Sequence, residues 1–173
     1  MSRTPRPSTA RTLQVRAAGD QHQVVTVASE RGDRAPHCTR PCSDCRWRLD
    51  AVGQFPPEAF VHSAGTAYDM ATSTFACHQA GASRPRMCAG FLLRGAEHNL
   101  TVRLAKIRGE LTRPPTSGGH PLHASYAAMA IANGVPADHP ALANCRSAEL
   151  DDCHLPEQQR SAATAARSQE PTS

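Results

Sequence analysis

The chain has 173 residues, a formal net charge of +4 and an aromatic content of only 4%. This length suits one domain, and so few large side chains favour small, closely packed helices that a bound metal ion would help to hold together. The positive charge is almost entirely arginine, which is weak support for nucleic-acid binding, and no apolar run reaches the roughly 18 residues of a membrane helix, so we expect no membrane partner and a cytoplasmic protein.

The two ends of the chain differ in composition from its middle. Residues 1–21 are rich in Arg, Ser, Thr and Pro without sustained periodicity, which predicts a flexible arm. The β-branched run Val24–Val27 predicts one edge strand. Residues 146–173 are polar and Ala-rich, which predicts a disordered tail. A folded, cysteine-rich domain is therefore expected over residues 22–145.

The first helix signal follows the main cysteine cluster. Pro57 and Glu58 suit the first turn of a helix. Phe60, Ala64 and Tyr68 then recur at steps of four residues, which predicts a helix that continues as far as Tyr68.

Three further segments carry secondary-structure signals. The stretch around Phe75 predicts a short buried strand that ends at Cys77. Asn99 is suited to cap a helix, and Gly134 is suited to end a later one. The helix after Asn99 is expected to bury an apolar stripe in the core, made of Leu100, Leu104, Ile107 and Leu111.

The seven cysteines are the strongest chemical signal, because clustered cysteines in a reducing compartment are more typical of metal ligands than of disulfides. Cys42 and Cys45 form a C-x2-C pair, whose tight turn can point two sulfurs at one ion while backbone N–H groups bind the thiolates. Cys77 and Cys88 form a second, looser pair. The four thiolates predict a closed tetrahedral zinc site with a structural role. Trp47 is expected to shield the sulfurs or to pack in the core.

Several neighbouring residues are additional candidates. Cys38 extends the first pair to the C-x3-C-x2-C pattern of radical S-adenosylmethionine enzymes, but this chain is too short for their barrel, so Cys38 is only a further candidate ligand. His78 follows Cys77 in an extended segment and should point to the opposite side, which favours a role beside the ligands, with ligation as the alternative. Arg46 and Arg48 are candidate donors to the thiolates. Incidental thiols are expected at Cys145 and Cys153.

Other uses of the cysteines stay open. An iron–sulfur cluster binds through the same thiolates, and a C-x-x-C pair supports disulfide exchange, although the strands that surround it in thioredoxin-like proteins are not predicted here. A metalloenzyme would need three thiolates, an open water position and a base such as His78 or His98. A closed site has no position for a substrate, and the common enzyme motifs are missing from the sequence, so we favour a protein that is not an enzyme.

The motifs also resemble a protein family. PCSDCRWR, FACHQ and CAGF, in this order, are similar to recurring motifs in a domain-of-unknown-function family of small cysteine-rich proteins from actinobacteria and their phages. The resemblance covers about residues 41–145 and includes all four predicted ligands, while Arg46 stands where that family usually has proline. It implies an accessory protein of actinobacterial or mobile-element origin and supplies no activity.

These observations together predict an α+β, mostly helical, small single domain that is held by one zinc ion through Cys42, Cys45, Cys77 and Cys88. The expected function is that of an accessory or regulatory protein that binds a protein or nucleic-acid partner. The alternative is an iron–sulfur or thiol-based redox sensor. The sequence does not indicate an oligomeric state.

Overall fold

The computed structural model describes residues 10–29 and 36–145, which form a two-stranded hairpin and a body with four short helices. The strands are β1 (Ala10–Ala18) and β2 (His22–Ser29). The helices are α1 (Pro57–Ser63), α2 (Ala89–Arg94), α3 (Leu100–Ile107) and α4 (Tyr126–Ala132). The α+β class is confirmed. The expectation of a mostly helical chain was too strong, because each helix has only six to eight residues and turns occupy much of the body.

The remaining residues, 1–9, 30–35 and 146–173, lie outside the described part of the chain, and with them the predicted tail. Within the described part, no helix combines the length and the apolar character that crossing a membrane requires.

The hairpin is an antiparallel pair of strands, with Ala10 opposite Ser29 at its open end. Its turn contains Gly19, whose φ of 65° lies in the region that glycine tolerates best. The strand predicted at Val24–Val27 is confirmed as part of β2, whereas β1 occupies residues that were predicted to be a flexible arm. This strand has no periodic signal because it buries only the side chain of Ala18, so backbone pairing holds it in place.

Helix α1 begins at Pro57 as predicted but ends at Ser63. A 3-10 turn over Ala64–Ala67 replaces the predicted continuation to Tyr68, near the helix-weakening Gly65. Helix α4 ends as predicted before Gly134, which has a φ of 93°.

Helix α3 confirms its predicted cap but only part of its predicted buried face. The Oδ1 atom of Asn99 accepts a hydrogen bond from the N–H of Val102 at 3.1 Å. Val102 and Ala105 are the buried residues of this helix, whereas Ile107 is 81% exposed. The predicted stripe is thus only partly confirmed: Leu100, Leu104 and Leu111 are half-buried and Leu111 packs against the core, whereas Ile107 faces outward.

The core of the body is built around Trp47, which is fully buried. Its ring lies 6.0 Å from that of Phe75, 6.3 Å from Phe91 and 5.9 Å from Tyr126. The Tyr126 hydroxyl donates a hydrogen bond to the carbonyl of Phe60 at 2.6 Å. The core position expected for Trp47 is confirmed, and this aromatic cluster anchors the segment that carries the first cysteine pair.

Two glycines make room for the indole ring. A Cβ atom at Gly90 would lie 2.4 Å from Cβ of Trp47, and one at Gly95 would lie 2.3 Å from its Cη2 atom. Both distances are too short for non-bonded carbon atoms, so the backbone around α2 must carry glycine where it meets Trp47.

Candidate metal centre

Three backbone segments meet beside the core and bring distant cysteines together. The N–H of Cys38 donates to the carbonyl of Met87 at 2.9 Å, and the N–H of Cys88 donates to the carbonyl of Phe75 at 2.9 Å. Cys77 lies two residues beyond Phe75 on the same segment. The strand predicted around Phe75 is reduced to isolated bridges, which nevertheless place Cys38, Cys77 and Cys88 on neighbouring segments.

Cys45 and Cys77 occupy equivalent positions in two similar turns. The carbonyl of each accepts a hydrogen bond from the N–H three residues later, at 2.9 Å for Cys45 and 3.1 Å for Cys77. The backbone N–H two residues later, on Trp47 and Gln79 respectively, acts to lower the pKa of each thiol. Such N–H groups stabilise a thiolate, which is the local geometry that a zinc-binding turn requires.

Five thiols lie near one another in a row, in the order Cys88, Cys45, Cys42, Cys77 and Cys38. The Sγ atoms of Cys45 and Cys88 lie 3.5 Å apart. Cys42 is near enough to Cys45 and Cys77, and Cys77 to Cys38, for these thiols to shift one another's pKa values. The structure thus pairs Cys45 with Cys88 and places Cys42, Cys77 and Cys38 near them, although among the described residues no three of the five sulfurs all lie within 4.8 Å of one another. Their binding of a metal stays a prediction.

Neighbouring thiols and burial raise the pKa values of Cys38, Cys42, Cys45 and Cys77. Hydrogen bonding with Cys45, together with burial, raises the pKa of Cys42 to about 11, against an opposing effect of Cys77. For Cys45, the hydrogen bond with Cys42 lowers the pKa, but contact with Cys88 and burial outweigh it and raise the pKa to about 12. Burial and the neighbouring Cys77 raise the pKa of Cys38 to about 11. A bound cation is therefore needed to hold these groups as thiolates at neutral pH.

Arg46 is a half-buried cation beside the thiols. Its Cζ atom lies 4.2 Å from the ring centroid of Phe55, and its Nε atom is buried with no hydrogen-bond partner among the described residues. Burial lowers its pKa, while the charges of Cys88 and Cys45 act in the opposite direction. A buried N–H without a hydrogen-bond partner is costly, and neighbouring thiolates would offset this cost. The arginine therefore fits a site whose sulfurs are ionised.

Arg48, the other predicted donor to the thiolates, has different partners. Its Nε atom donates to Oδ1 of Asp50 at 2.7 Å, and its Nη1 atom donates to the carbonyl of Cys42 at 3.3 Å. It therefore braces the backbone of the first cysteine turn, and the described contacts of its side chain are with oxygen atoms.

His78 lies beside Cys42 instead of pointing away from the site. Cys77 is followed by a 3-10 turn, so the extended geometry that would separate the two neighbouring side chains does not apply. The Nδ1 atom of His78 lies 3.9 Å from Sγ of Cys42, and its Nε2 atom lies 2.9 Å from Oδ2 of Asp44. Ligand atoms of Cys42, Asp44 and His78 all lie within 4.8 Å of one another, so these residues form a group that can hold a metal ion.

Asp44 is a site residue that sequence reasoning missed. The Ser43 hydroxyl donates to Asp44 at 2.5 Å, and Gln79 donates to both Ser43 and Asp44. The hydrogen bond from Ser43 and then that from His78 lower the pKa of Asp44 to about 2, so its carboxylate is ionised. The one available signal was a carboxylate inside the C-x2-C turn in a chain that also contains a Cys-His pair.

The other candidates from the sequence lie elsewhere. Sγ of Cys145 lies 3.9 Å from the carbonyl of Ala64 and 3.8 Å from that of Ala141, and burial raises its pKa to about 11. His98 lines a small cavity together with Ser125 and Tyr126. Cys153, the other thiol expected to be incidental, lies outside the described part of the chain.

Comparison with known proteins gives one match. The sequence profile of a family of unknown function, DUF6283, matches residues 37–146. No curated protein and no solved structure matches the chain. The matched residues contain the whole row of thiols and all four helices, whereas the hairpin precedes them. The actinobacterial or phage origin that the motifs imply stays a prediction.

Proposed function

The chain belongs to DUF6283, a family of unknown function, and we propose that it is a small zinc-binding accessory or regulatory protein in which the metal is structural. The observation that carries the proposal is the 3.5 Å approach of Cys45 and Cys88 from separate segments, with three further thiols nearby and the half-buried Arg46 beside them.

The spacing of the sulfurs supports a zinc ion. Zinc binds thiolates at about 2.3 Å, so two sulfurs on one tetrahedral ion lie roughly 3.8 Å apart. The 3.5 Å between the sulfurs of Cys45 and Cys88 is close to this value. In a four-iron cluster each thiolate binds a different iron atom, which holds the sulfurs farther apart. The short separation therefore disfavours a four-iron cluster at this pair and is compatible with two sulfurs on one zinc ion.

The charge near the thiols supports the same proposal. One zinc ion and four thiolates carry two net negative charges. The Arg46 guanidinium offsets one of them, and the N–H groups of Trp47 and Gln79 spread charge from two of the sulfurs. The groups that surround the cluster are thus those that a thiolate-rich zinc site needs.

A structural role follows from the position of the cluster. The Cys45 turn leads directly into Trp47, the centre of a core with few other large side chains. Binding of a structural zinc ion contributes about 10–16 kcal/mol, which exceeds or equals the stability of most small domains. A site closed by thiolates leaves no position for a substrate, so we propose a binding function in place of catalysis.

The partner is proposed to be a protein. Leu49 and Val52, which follow the Cys45 turn, are 48% and 44% exposed. A metal that fixes the turn would also fix this small apolar surface, and apolar contact is more typical of protein partners than of nucleic acids. The alternative, a nucleic-acid partner, is tested by measuring the affinity of the protein for duplex DNA at low salt, because electrostatic binding to DNA is strongest there.

A thiol-based redox sensor is the second candidate. This candidate is favoured by the distance of 3.5 Å between the Sγ atoms of Cys45 and Cys88. A disulfide bond has an S–S length of about 2.05 Å, so the two sulfurs would have to move only a little to form one. It is disfavoured by the raised thiol pKa values, because the thiolate is the reactive form.

Metal analysis of protein purified without oxygen separates these candidates. We expect colourless protein that contains zinc and loses it on Cys88→Ser substitution but not on Cys145→Ser substitution. Brown protein that contains iron and bleaches in air would replace the zinc proposal with the iron–sulfur alternative. Protein that binds neither metal would contradict the proposed metal-dependent function altogether.

A further inference from the structure

We propose that Cys42, Asp44 and His78 form an exposed three-residue metal site through which zinc enters and leaves the buried thiols. This inference rests on the proposed zinc function and adds to it a route for the ion. The exposed site takes a hydrated divalent cation from solvent. Cys42 belongs to both sites, because it is also one of the four cysteines proposed to hold the structural ion.

The donor atoms of the exposed site already lie close together. One donor atom from each of Cys42, Asp44 and His78 lies within 4.8 Å of the other two. The Nδ1 atom of His78 is 3.9 Å from Sγ of Cys42. Zinc bound to sulfur at about 2.3 Å and to nitrogen at about 2.0 Å places these two atoms roughly 3.5 Å apart, so a small movement suffices. The structure thus brings three different side chains within reach of one ion.

Asp44 brings a fixed negative charge to the exposed site. Its carboxylate accepts hydrogen bonds from Ser43 and Gln79, and its Oδ2 atom lies 2.9 Å from Nε2 of His78. A carboxylate that accepts several hydrogen bonds stays ionised at neutral pH. A hydrated cation that arrives from solvent is therefore attracted to a charge that is present before any thiol loses its proton.

Exposure falls from this site toward the buried thiols. His78 is exposed, and Cys42 and Asp44 are half-buried, whereas Cys45 and Cys88 are only 1% and 3% exposed. An ion on its way between solvent and the Cys45–Cys88 pair can thus be held first by the outer donors. Cys42 links the two sites, because the N–H of Cys45 donates to the carbonyl of Cys42 at 3.3 Å and keeps both cysteines in one tight turn.

Three protein donors suit a site through which an ion passes. A closed structural zinc site has four protein ligands, whereas a site with three keeps a water molecule in the fourth position. On the inward step a bond between zinc and the sulfur of Cys45 forms, the bond between zinc and water breaks, and the thiol proton goes to solvent. His78 and Asp44 are then released, and the outward step is the reverse.

Zinc exchange on the zinc-loaded full chain tests this inference. The protein is mixed with an excess of isotopically enriched zinc, and the isotope ratio of the bound metal is followed over time. We expect His78→Ala and Asp44→Asn each to slow exchange about tenfold, the lower end of what loss of a group at a metal site typically costs. Both variants should keep the zinc content and unfolding temperature of the unmodified protein. His120→Ala, which removes a half-buried histidine outside the group, is the matched control and should exchange at the unmodified rate.

The outcomes separate this inference from the proposed function. Slower exchange at unchanged zinc content supports the entry site. Exchange that is unchanged or faster in both variants overturns it and leaves the structural zinc intact, as does an unmodified protein that keeps its zinc without exchange. Loss of zinc or of cooperative unfolding in either variant also overturns it, because that residue would then hold the structural ion itself. An unmodified protein that retains no zinc overturns both the inference and the proposed function.

Discussion

The hairpin and the body of this protein are held together by different forces. The hairpin, residues 10–29, buries a single side chain, that of Ala18, and relies on pairing between its two backbones. The body, residues 36–145, encloses Trp47 in an aromatic core beside a cluster of thiols. The family match starts at residue 37, so the part of the chain that carries the shared sequence pattern is the part with the thiols and the core.

The two regions nevertheless meet at the edge of the candidate site. Phe55 lies between them, with its ring 5.7 Å from that of His22 in the hairpin and 5.4 Å from that of His78. The guanidinium of Arg46 stacks on the same ring at 4.2 Å. The hairpin therefore covers a side chain that packs on the site, while the chemistry belongs to the body.

Loss of a thiol from the body should have the largest effect. We expect Cys88→Ser to abolish metal binding and the cooperative unfolding transition, because a structural zinc ion contributes about 10–16 kcal/mol. Thermal unfolding followed by circular dichroism measures this loss. Cys145→Ser, the matched control, should unfold cooperatively, and a Cys88→Ser variant that does the same at an unchanged temperature would contradict a structural metal.

Acidification should act on the body through the same thiols. With pKa values of about 11 for Cys42 and about 12 for Cys45, the thiols carry protons at neutral pH until a metal displaces them. Metal binding therefore releases protons, and affinity should fall about tenfold per pH unit for each proton released. Calorimetric titrations in two buffers with different heats of ionisation count these protons, and a count of zero would rule out thiolate ligation.

A third test probes the close packing of the body around Trp47. Gly95→Ala would place a Cβ atom 2.3 Å from the indole, which should destabilise the metal-loaded protein by about 1–3 kcal/mol. Gly65→Ala is the control, since its Cβ would meet nothing within 4 Å. Urea unfolding of both variants gives the comparison, and equal midpoints would show that the indole pocket is more adaptable than its geometry indicates.

The smallest effect should come from the hairpin. Val15 is 53% exposed, so Val15→Ala should change the free energy of unfolding by less than about 0.5 kcal/mol. The same substitution at the fully buried Val102 of the body should cost more than about 1 kcal/mol. Equal costs in urea unfolding would remove the energetic distinction between the two regions.

Local signals made much of the body predictable. The turn at Cys42 and Cys45 needs only short-range geometry, and the same is true of the cap at Asn99 and the glycine stop at Gly134. Cys77 could be grouped with the first pair because a zinc ion is commonly bound by several cysteine thiolates from separate segments.

The features that were missed depend on contacts between distant segments. Strand β1 has no apolar period because its pairing uses the backbone, and tertiary packing left Ile107 of the α3 stripe exposed. Asp44 became a site residue only because His78, 34 residues later, folds back against it. Position in three dimensions, more than residue type, decided these cases.

The central claim is that the sulfurs of the body converge on metal. X-ray absorption at the zinc edge of the purified protein tests it most directly. The account predicts a nearest shell dominated by sulfur at about 2.3 Å. A shell of oxygen and nitrogen atoms alone, or protein that retains no metal, would contradict it.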